Sequence, residues 1–226
     1  MCYVIRLPAF TIATIDVTGT HYADKELVQQ AVAQALTGSY AWLVPRRSIA
    51  LYPSDAIVHA VAHIPAIAHI DIGRESLTAL SIAVTERTPS ALWCGAATST
   101  ECYLMDGDGY VFMKGSEPGL ATYRGSLDYP PVGSQYLGGK FATLNTFMRK
   151  FNEASGRTPT SVSVDKNGDV FIALAGGGEV RTTLSGVGDA LLANVTSVFE
   201  SSKFKSGATF QYVDFRFGGN VYVKWK

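Results

Sequence analysis

Charge is scarce in this sequence. Asp, Glu, Lys and Arg make up 17% of the 226 residues, and nineteen basic side chains balance nineteen acidic ones. Without a basic surplus the chain has no electrostatic pull toward a phosphate backbone, so nucleic acid is not expected as a partner. A long apolar run is missing too. Met1-Cys2-Tyr3-Val4-Ile5 is cut off by Arg6 and Pro8, far short of the ~20 residues that span a bilayer. It also lacks the basic start and small-residue cleavage site of a secretory signal. At face value that start belongs to a soluble, unexported protein. As the tail of an upstream membrane helix, residues 1–9 are instead the stub of an anchor. Cysteine is rare and odd in number, three in all. Cys94 and Cys102 would face each other across a hairpin, and a bridge there requires an oxidising compartment. The residues alone favour two unpaired, partly buried thiols.

Catalytic signatures are also lacking. No Gly-x-Ser-x-Gly elbow occurs, and the histidines cluster in the first third of the chain away from an obvious nucleophile. Gly176-Gly177-Gly178 is not followed by Lys-Ser/Thr or a helix, so it reads as a hairpin turn and not as a phosphate loop. His59 and His63 stand i, i+4 on a predicted helix, with His69 close by in sequence. That spacing can ligate zinc, but the expectation is solvated or half-buried imidazoles. Asp106-Gly107-Asp108-Gly109 with Glu117 imitates part of a calcium loop, yet Val111 stands where its glycine belongs and the flanks read as strands. Asp-Gly is foremost a hairpin turn. No enzymatic activity, metal or cofactor is expected.

What is present is ordinary globular material: 47% hydrophobic residues and 22 glycines, mostly in short clusters that imply turns and β structure. The length allows one large or two small domains. Phe10 to Val17 reads as a strand closed at Gly19. Asp24 is placed to cap a helix carrying Val28, Ala31, Val32, Ala35 and Leu36, with Gly38 as its stop. Residues 40–48 read as a loop, Pro53-Ser54-Asp55 opens a second helix, and strands follow at 67–73 and 77–85. Arg87-Thr88-Pro89 marks a boundary, so residues 10–88 form one α+β unit and residues 89–226 another. The second unit is strand-rich and mostly antiparallel: strands at 92–94, 102–105, 110–113, 161–164, 170–174 and 180–183, with two helices built on Phe141, Leu144, Met148, Phe151 and on Leu191, Val195, Val198, Phe199. The charged pair Glu86-Arg87 is expected to set orientation at the junction.

The chain finishes in a hairpin. Tyr212 to Phe217 and Val221 to Lys226 flank Gly218-Gly219-Asn220, and Val221, Val223 and Trp225 alternate with Tyr222, Lys224 and Lys226. A terminal strand of this kind can lie at a sheet edge, where unpaired backbone groups accept a partner strand. Lys224 and Lys226 blunt such an edge, whereas Arg216, Phe217 and Trp225 are residue types that anchor interfaces.

In this order, the motifs resemble the extracytoplasmic part of the FtsQ/DivIB family of bacterial cell-division proteins. Residues 10–19 are similar to that family's first POTRA strand and its closing glycine. Pro65 to Arg74, continuing through Leu80 to Trp93, resembles its P-x-I…R…L-x-I-x-V-x-E-R-x-P-x-A-x-W run. Leu104 to Phe112 resembles its hairpin after the domain boundary. Val213-Asp214-Phe215-Arg216-Phe217 with Val221-Tyr222-Val223-Lys224 resembles its terminal D-x-R-(F/Y)…V-x-V-K signature. The family's aromatic-Pro pair is replaced by Glu75-Ser76-Leu77, and its basic tail and single membrane helix would precede residue 1. The resemblance implies a POTRA domain followed by a β domain in a non-enzymatic, single-pass inner-membrane scaffold of the division septum, with residues 10–226 extracytoplasmic. It further implies binding of FtsB/FtsL-like proteins at the C-terminal edge, on Arg216, Phe217, Gly219, Val221, Val223 and Trp225, with other division proteins met through the POTRA domain. Another POTRA-bearing secretion or assembly module, or a small extracytoplasmic enzyme without a recognisable motif, are the alternatives.

Overall fold

The computed structural model describes residues 8–95 and 99–226. The chain divides into two compact units, Met1–Arg87 and Thr88–Lys226, each with its own hydrophobic core. The fold class is α+β. Within the described residues, no helix is long and apolar enough to cross a membrane. The expectation attached to Met1–Leu7 lies outside the described residues.

In the first unit the strands β1 (Thr14–Thr18), β4 (Ile67–Arg74) and β5 (Ala79–Glu86) form a sheet in the order β1-β5-β4. The β1–β5 pair is parallel and the β4–β5 pair antiparallel. Two helices, α1 (Lys25–Ala35) and α2 (Ser54–Ala62), pack on each other and on this sheet. Asp24 caps α1 by accepting the Glu26 amide at 2.9 Å, which satisfies one of the donors a helix start leaves unpaired. Val28 and Val32 of α1 and Ile57 and Val61 of α2 meet Leu80, Ile82 and Val84 of the central strand in one core. Each such aliphatic side chain contributes about 1.5–3 kcal/mol through burial.

The first strand is shorter than its sequence pattern suggests. Pro8–Phe10 forms a single 3-10 turn, and pairing begins only at Thr14. Proline lacks the amide a ladder needs, and Phe10 and Ile12 bond instead to the 47–49 segment. Gly19 closes β1 at φ +87°, where a Cβ would lie 2.1 Å from the Val84 carbonyl oxygen, so only glycine fits. Glu86 does more than sit at a junction: its carboxylate accepts the amides of His21, Tyr22 and Ala23 and so clamps the loop that leads into α1. The segment 40–48, expected as loop, is partly taken up by a miniature hairpin of β2 (Ser39–Tyr40) and β3 (Val44–Pro45).

Ser48, 1% exposed, has a hydroxyl with no hydrogen-bond partner among the described residues. A buried polar atom left unpaired is destabilising, so Ser48→Ala is expected to raise stability by about 1 kcal/mol. Urea denaturation of the variant checks this; a loss of stability would show that the hydroxyl is paired.

The second unit is one mixed sheet of β6 (Ala91–Trp93), β7 (Tyr103–Met105), β8 (Val111–Lys114), β9 (Ala121–Arg124), β10 (Pro159–Val164), β11 (Asp169–Leu174), β12 (Glu179–Thr183), β13 (Phe210–Phe217) and β14 (Asn220–Trp225). Its order is β14-β13-β12-β11-β10-β9-β6-β7-β8. Most pairs are antiparallel, but β6–β9, β9–β10 and β12–β13 are parallel. Periodicity at 121–124 is too short to reveal β9, which is recruited by neighbours on both sides. Helices α3 (Phe141–Ser155), α4 (Asp189–Phe199) and the short α5 (Ser202–Lys205) bury Phe141, Leu144, Phe147, Phe151, Leu191, Val195, Phe199 and Phe204 against Val170, Ile172, Val180 and Val213. The core contains one polar chain: Tyr123 donates to Asn145 Oδ1, and Asn145 Nδ2 donates to Ser90 Oγ. Burial pushes the Tyr123 phenol well above its ordinary pKa, so it stays a neutral donor.

The thiol expectation is corrected. Cys94 and Cys102 form a disulfide. Cys94 directly follows β6 and Cys102 directly precedes β7, and the antiparallel pairing Trp93↔Tyr103 brings the two backbones side by side. Register, which the residues alone do not reveal, makes the bridge possible.

Candidate protein-interaction edge

Strand β14 ends the nine-stranded sheet, with β13 on one side and no further described strand on the other. Two glycines make the turn before it. Phe217 pairs with Asn220, leaving only Gly218-Gly219 between them, and Gly218 takes φ +64°. That left-handed backbone is the requirement of a two-residue hairpin turn. Lys226 donates its amide to Thr209 O at 3.1 Å, which sets the alternation of the strand. The amides of Tyr222 and Lys224 therefore point into the sheet, and those of Val221, Val223 and Trp225 point to the open edge.

The side chains alternate in the other direction. Val221, Val223 and Trp225 are half-buried against the core, and Tyr222 and Lys224 are exposed. The Trp225 ring lies 4.9 Å from that of Phe204, with Lys203 Nζ 4.1 Å from its centroid. Trp225 is thus a packing residue with one exposed margin. Phe217, 55% exposed, and Tyr222, 54% exposed, meet edge to face at 5.3 Å beside the turn. Tyr222 was not among the residues singled out from sequence; its polar-face position in the alternation hid it.

Arg216 is engaged within the protein. Its Nε and Nη2 donate to Asp214, at 2.9 and 2.6 Å, and Nη1 donates to Asp169. Asp214 is 3% exposed. Burial would raise its carboxyl pKa, but the hydrogen bonds from Arg216 and the charges of Arg216 and Arg181 outweigh it and hold the group below its ordinary value. The same sheet face, opposite the core, carries a run of cations over rings. Arg181 lies 4.0 Å from the Tyr212 centroid and 5.9 Å from that of Phe171, and Arg216 lies 5.9 Å from Phe171 and 5.7 Å from Phe217. Gly219 has nothing within 4 Å of where a Cβ would stand, so it offers backbone only. The structure therefore brings Phe217, Tyr222 and the outward amides of Val221, Val223 and Trp225 to one edge, and it assigns Arg216 to holding β13 and β11 together.

The remaining sequence candidates have plain structural roles. His59 and His63 stack edge to face at 4.6 Å, and no group of three His, Cys, Asp or Glu that could hold a metal occurs among the described residues. Asp106 Oδ1 accepts the amides of Asp108 and Tyr110, and Asp165 Oδ1 those of Asn167 and Asp169, so both Asp-led segments are side-chain-braced turns. Gly176-Gly177-Gly178 turns β11 into β12. A cleft of about 570 Å³ is bordered by Ser90, Thr122, Asn145, Arg149 and Thr160, and its lining contains no Asp, Glu, His or Cys.

No protein-family model matches this chain, and no curated protein matches its sequence.

Proposed function

We propose that this chain is the extracytoplasmic part of a cell-division scaffold of FtsQ/DivIB type, with a POTRA domain at 10–88 and a β domain at 89–226. Its task is to bind an FtsB/FtsL-like partner by strand addition along β14 and so help control septal peptidoglycan synthesis. It does no chemistry of its own. A single-pass anchor in the inner membrane precedes it, and it works at the division septum.

The observation that carries the reading is the open edge of β14, where outward amides adjoin the exposed pair Phe217 and Tyr222. Backbone pairing supplies register in strand addition, and exposed aromatics beside the edge supply the anchors. The β-α-α-β-β order of the first unit, with the small β2–β3 hairpin between its helices, supports the POTRA assignment. The Cys94–Cys102 bridge supports an oxidising compartment.

Hydrogen exchange with and without an FtsB-like segment tests the proposal. The amides of Val221, Val223 and Trp225 are expected to exchange fast in the free protein and to become protected on binding, while those of Tyr222 and Lys224 are protected in both states. Binding that leaves the three outward amides unprotected rules out strand addition at β14.

A further inference from the structure

The nine-stranded sheet is not joined along the whole of each strand. Strands β9 and β10 run parallel, yet they pair only at Tyr123↔Val162 and Arg124↔Ser163. The earlier residues of both strands have partners on their other sides: Ala121 and Thr122 pair with β6, and Pro159 and Ser161 with β11. Across the seam between them no pairing forms, and β10 is irregular between Pro159 and Ser161. The cleft of about 570 Å³ lies at this split. Helix α3 contributes Asn145, Met148 and Arg149 to it, and the strand ends contribute Thr122, Pro159 and Thr160. Its volume is within the range of clefts that hold small ligands.

Charge at the cleft has one sign. Among the described residues that line it, Arg149 is the one ionisable side chain. Several other cations of this unit have carboxylates: Lys114 has Glu101, Lys150 has Asp189, Arg181 has Glu179, and Arg216 has Asp214 and Asp169. Arg149 has none among the described residues, and its Nη2 donates to the Thr146 hydroxyl at a long 3.4 Å. A guanidinium presents five donors in a planar fork, so most of them remain for a ligand. The floor is polar as well. Asn145, 4% exposed, accepts from Tyr123 and donates to Ser90. Its Nδ2 carries a second hydrogen and the Ser90 hydroxyl its own proton, and neither has an acceptor among the described residues. A donor left over on a residue this buried is a cost that a ligand oxygen removes. Burial, and after it Tyr136, push the Tyr123 phenol up, and the Arg149 charge opposes them, so guanidinium and floor belong to one site.

One cation, spare neutral donors and an apolar margin of Leu120, Met148 and Val162 define the ligand class. A single guanidinium balances a monoanion and matches the two oxygens of a carboxylate, whereas a phosphate dianion would keep uncompensated charge. We infer that this cleft binds a carboxylate with an adjoining amide, the group shared by N-acylated amino acids and by the C-terminal end of a peptide. Arg149 takes the carboxylate, and Asn145 and Ser90 donate to the amide carbonyl. Leu120, Met148 and Val162 cover the aliphatic side chain. Three strands separate β10 from β14 in the sheet, and the site is independent of any partner at that edge.

The test titrates the 226-residue chain with N-acetyl-alanyl-alanine carrying a free carboxyl and with the same dipeptide closed as its amide. Binding is read from proton–nitrogen NMR spectra, through the side-chain signals of Asn145 and Arg149 and the amides of Thr122 and Thr160. The free acid is expected to move these signals with a Kd of about 1 mM or tighter, and the amide to bind at least about tenfold more weakly. Arg149→Gln is expected to lose that same factor for the acid and to abolish the preference over the amide. Arg149→Lys recovers only part of it, because an ammonium lacks the fork. Ser90→Ala is expected to weaken both forms about threefold, and Phe217→Ala leaves both unchanged. An octapeptide with the same last two residues separates the two sources: binding as tight as the dipeptide's marks a chain end, and exclusion marks a free small acid. Unmoved Asn145 and Arg149 signals at about 10 mM free acid would overturn the inference. So would equal affinity for acid and amide, or wild-type affinity in Arg149→Gln.

Discussion

Replacing Arg216 with alanine is expected to destabilise the second unit by about 3 kcal/mol or more at neutral pH. The substitution leaves Asp214, 3% exposed, without the guanidinium that neutralises it, and an uncompensated buried charge costs about 3–5 kcal/mol. The pH dependence gives the sign. In the native protein the Asp214 pKa is lowered from 3.8, so in acid the unfolded chain binds the proton more readily. This contribution to stability is present above about pH 4 and is lost as pH falls through the lowered native value. In the variant, burial is opposed only by the amide of residue 216 and the charge of Arg181, the carboxyl is easier to protonate, and acid relieves part of the penalty. The stability gap between wild type and Arg216→Ala should therefore be widest near pH 7 and narrow below about pH 4. Urea denaturation in a Trp42→Phe background measures it, because Trp93 and Trp225 then both report on the second unit. A gap under 1 kcal/mol at pH 7, or one that does not change with pH, would show that the Asp214–Arg216 pair contributes little.

The second large effect is expected in binding, and there the fold should be spared. Phe217→Ala and Tyr222→Ala are each expected to weaken association with an FtsB-like segment by about 2 kcal/mol, a factor of roughly 30, with no more than a few tenths of a kcal/mol lost in stability. Both rings are more than half exposed and pack mainly on each other, so truncation opens no cavity. Val223→Pro is expected to abolish strand addition, because its amide points to the open edge and proline has none. Trp225→Ala is a poorer probe than its sequence suggests. Its ring packs on Phe204 and Lys203, so lost binding would be mixed with lost stability. Calorimetric titration alongside thermal unfolding separates the two. Wild-type affinity in both Phe217→Ala and Val223→Pro would remove β14 as the docking strip.

Local chemistry made much of this architecture legible. The cap at Asp24, the apolar faces of α1, α3 and α4, and the turns at Asp106 and Gly218 depend on neighbours within a few residues, so short sequence windows contain their causes. Legibility failed where distant residues decide. Pro8 and the 47–49 segment keep Phe10–Ile12 out of the ladder, β9 exists because β6 and β10 flank it, and β6–β7 register joins Cys94 to Cys102.

At the candidate edge the division is the same. Alternation along 221–226 determined from sequence alone that Val221, Val223 and Trp225 share one face, because successive side chains in a strand must point opposite ways. Sequence also placed a two-glycine turn before them. Only the tertiary structure decided that β14 ends the sheet, that its outward amides belong to those same residues, and that Arg216 is held by Asp214 and Asp169 from two different strands. Strand order and ion pairing across a sheet arise from contacts between segments far apart in the chain, and a residue's own neighbours carry no record of them.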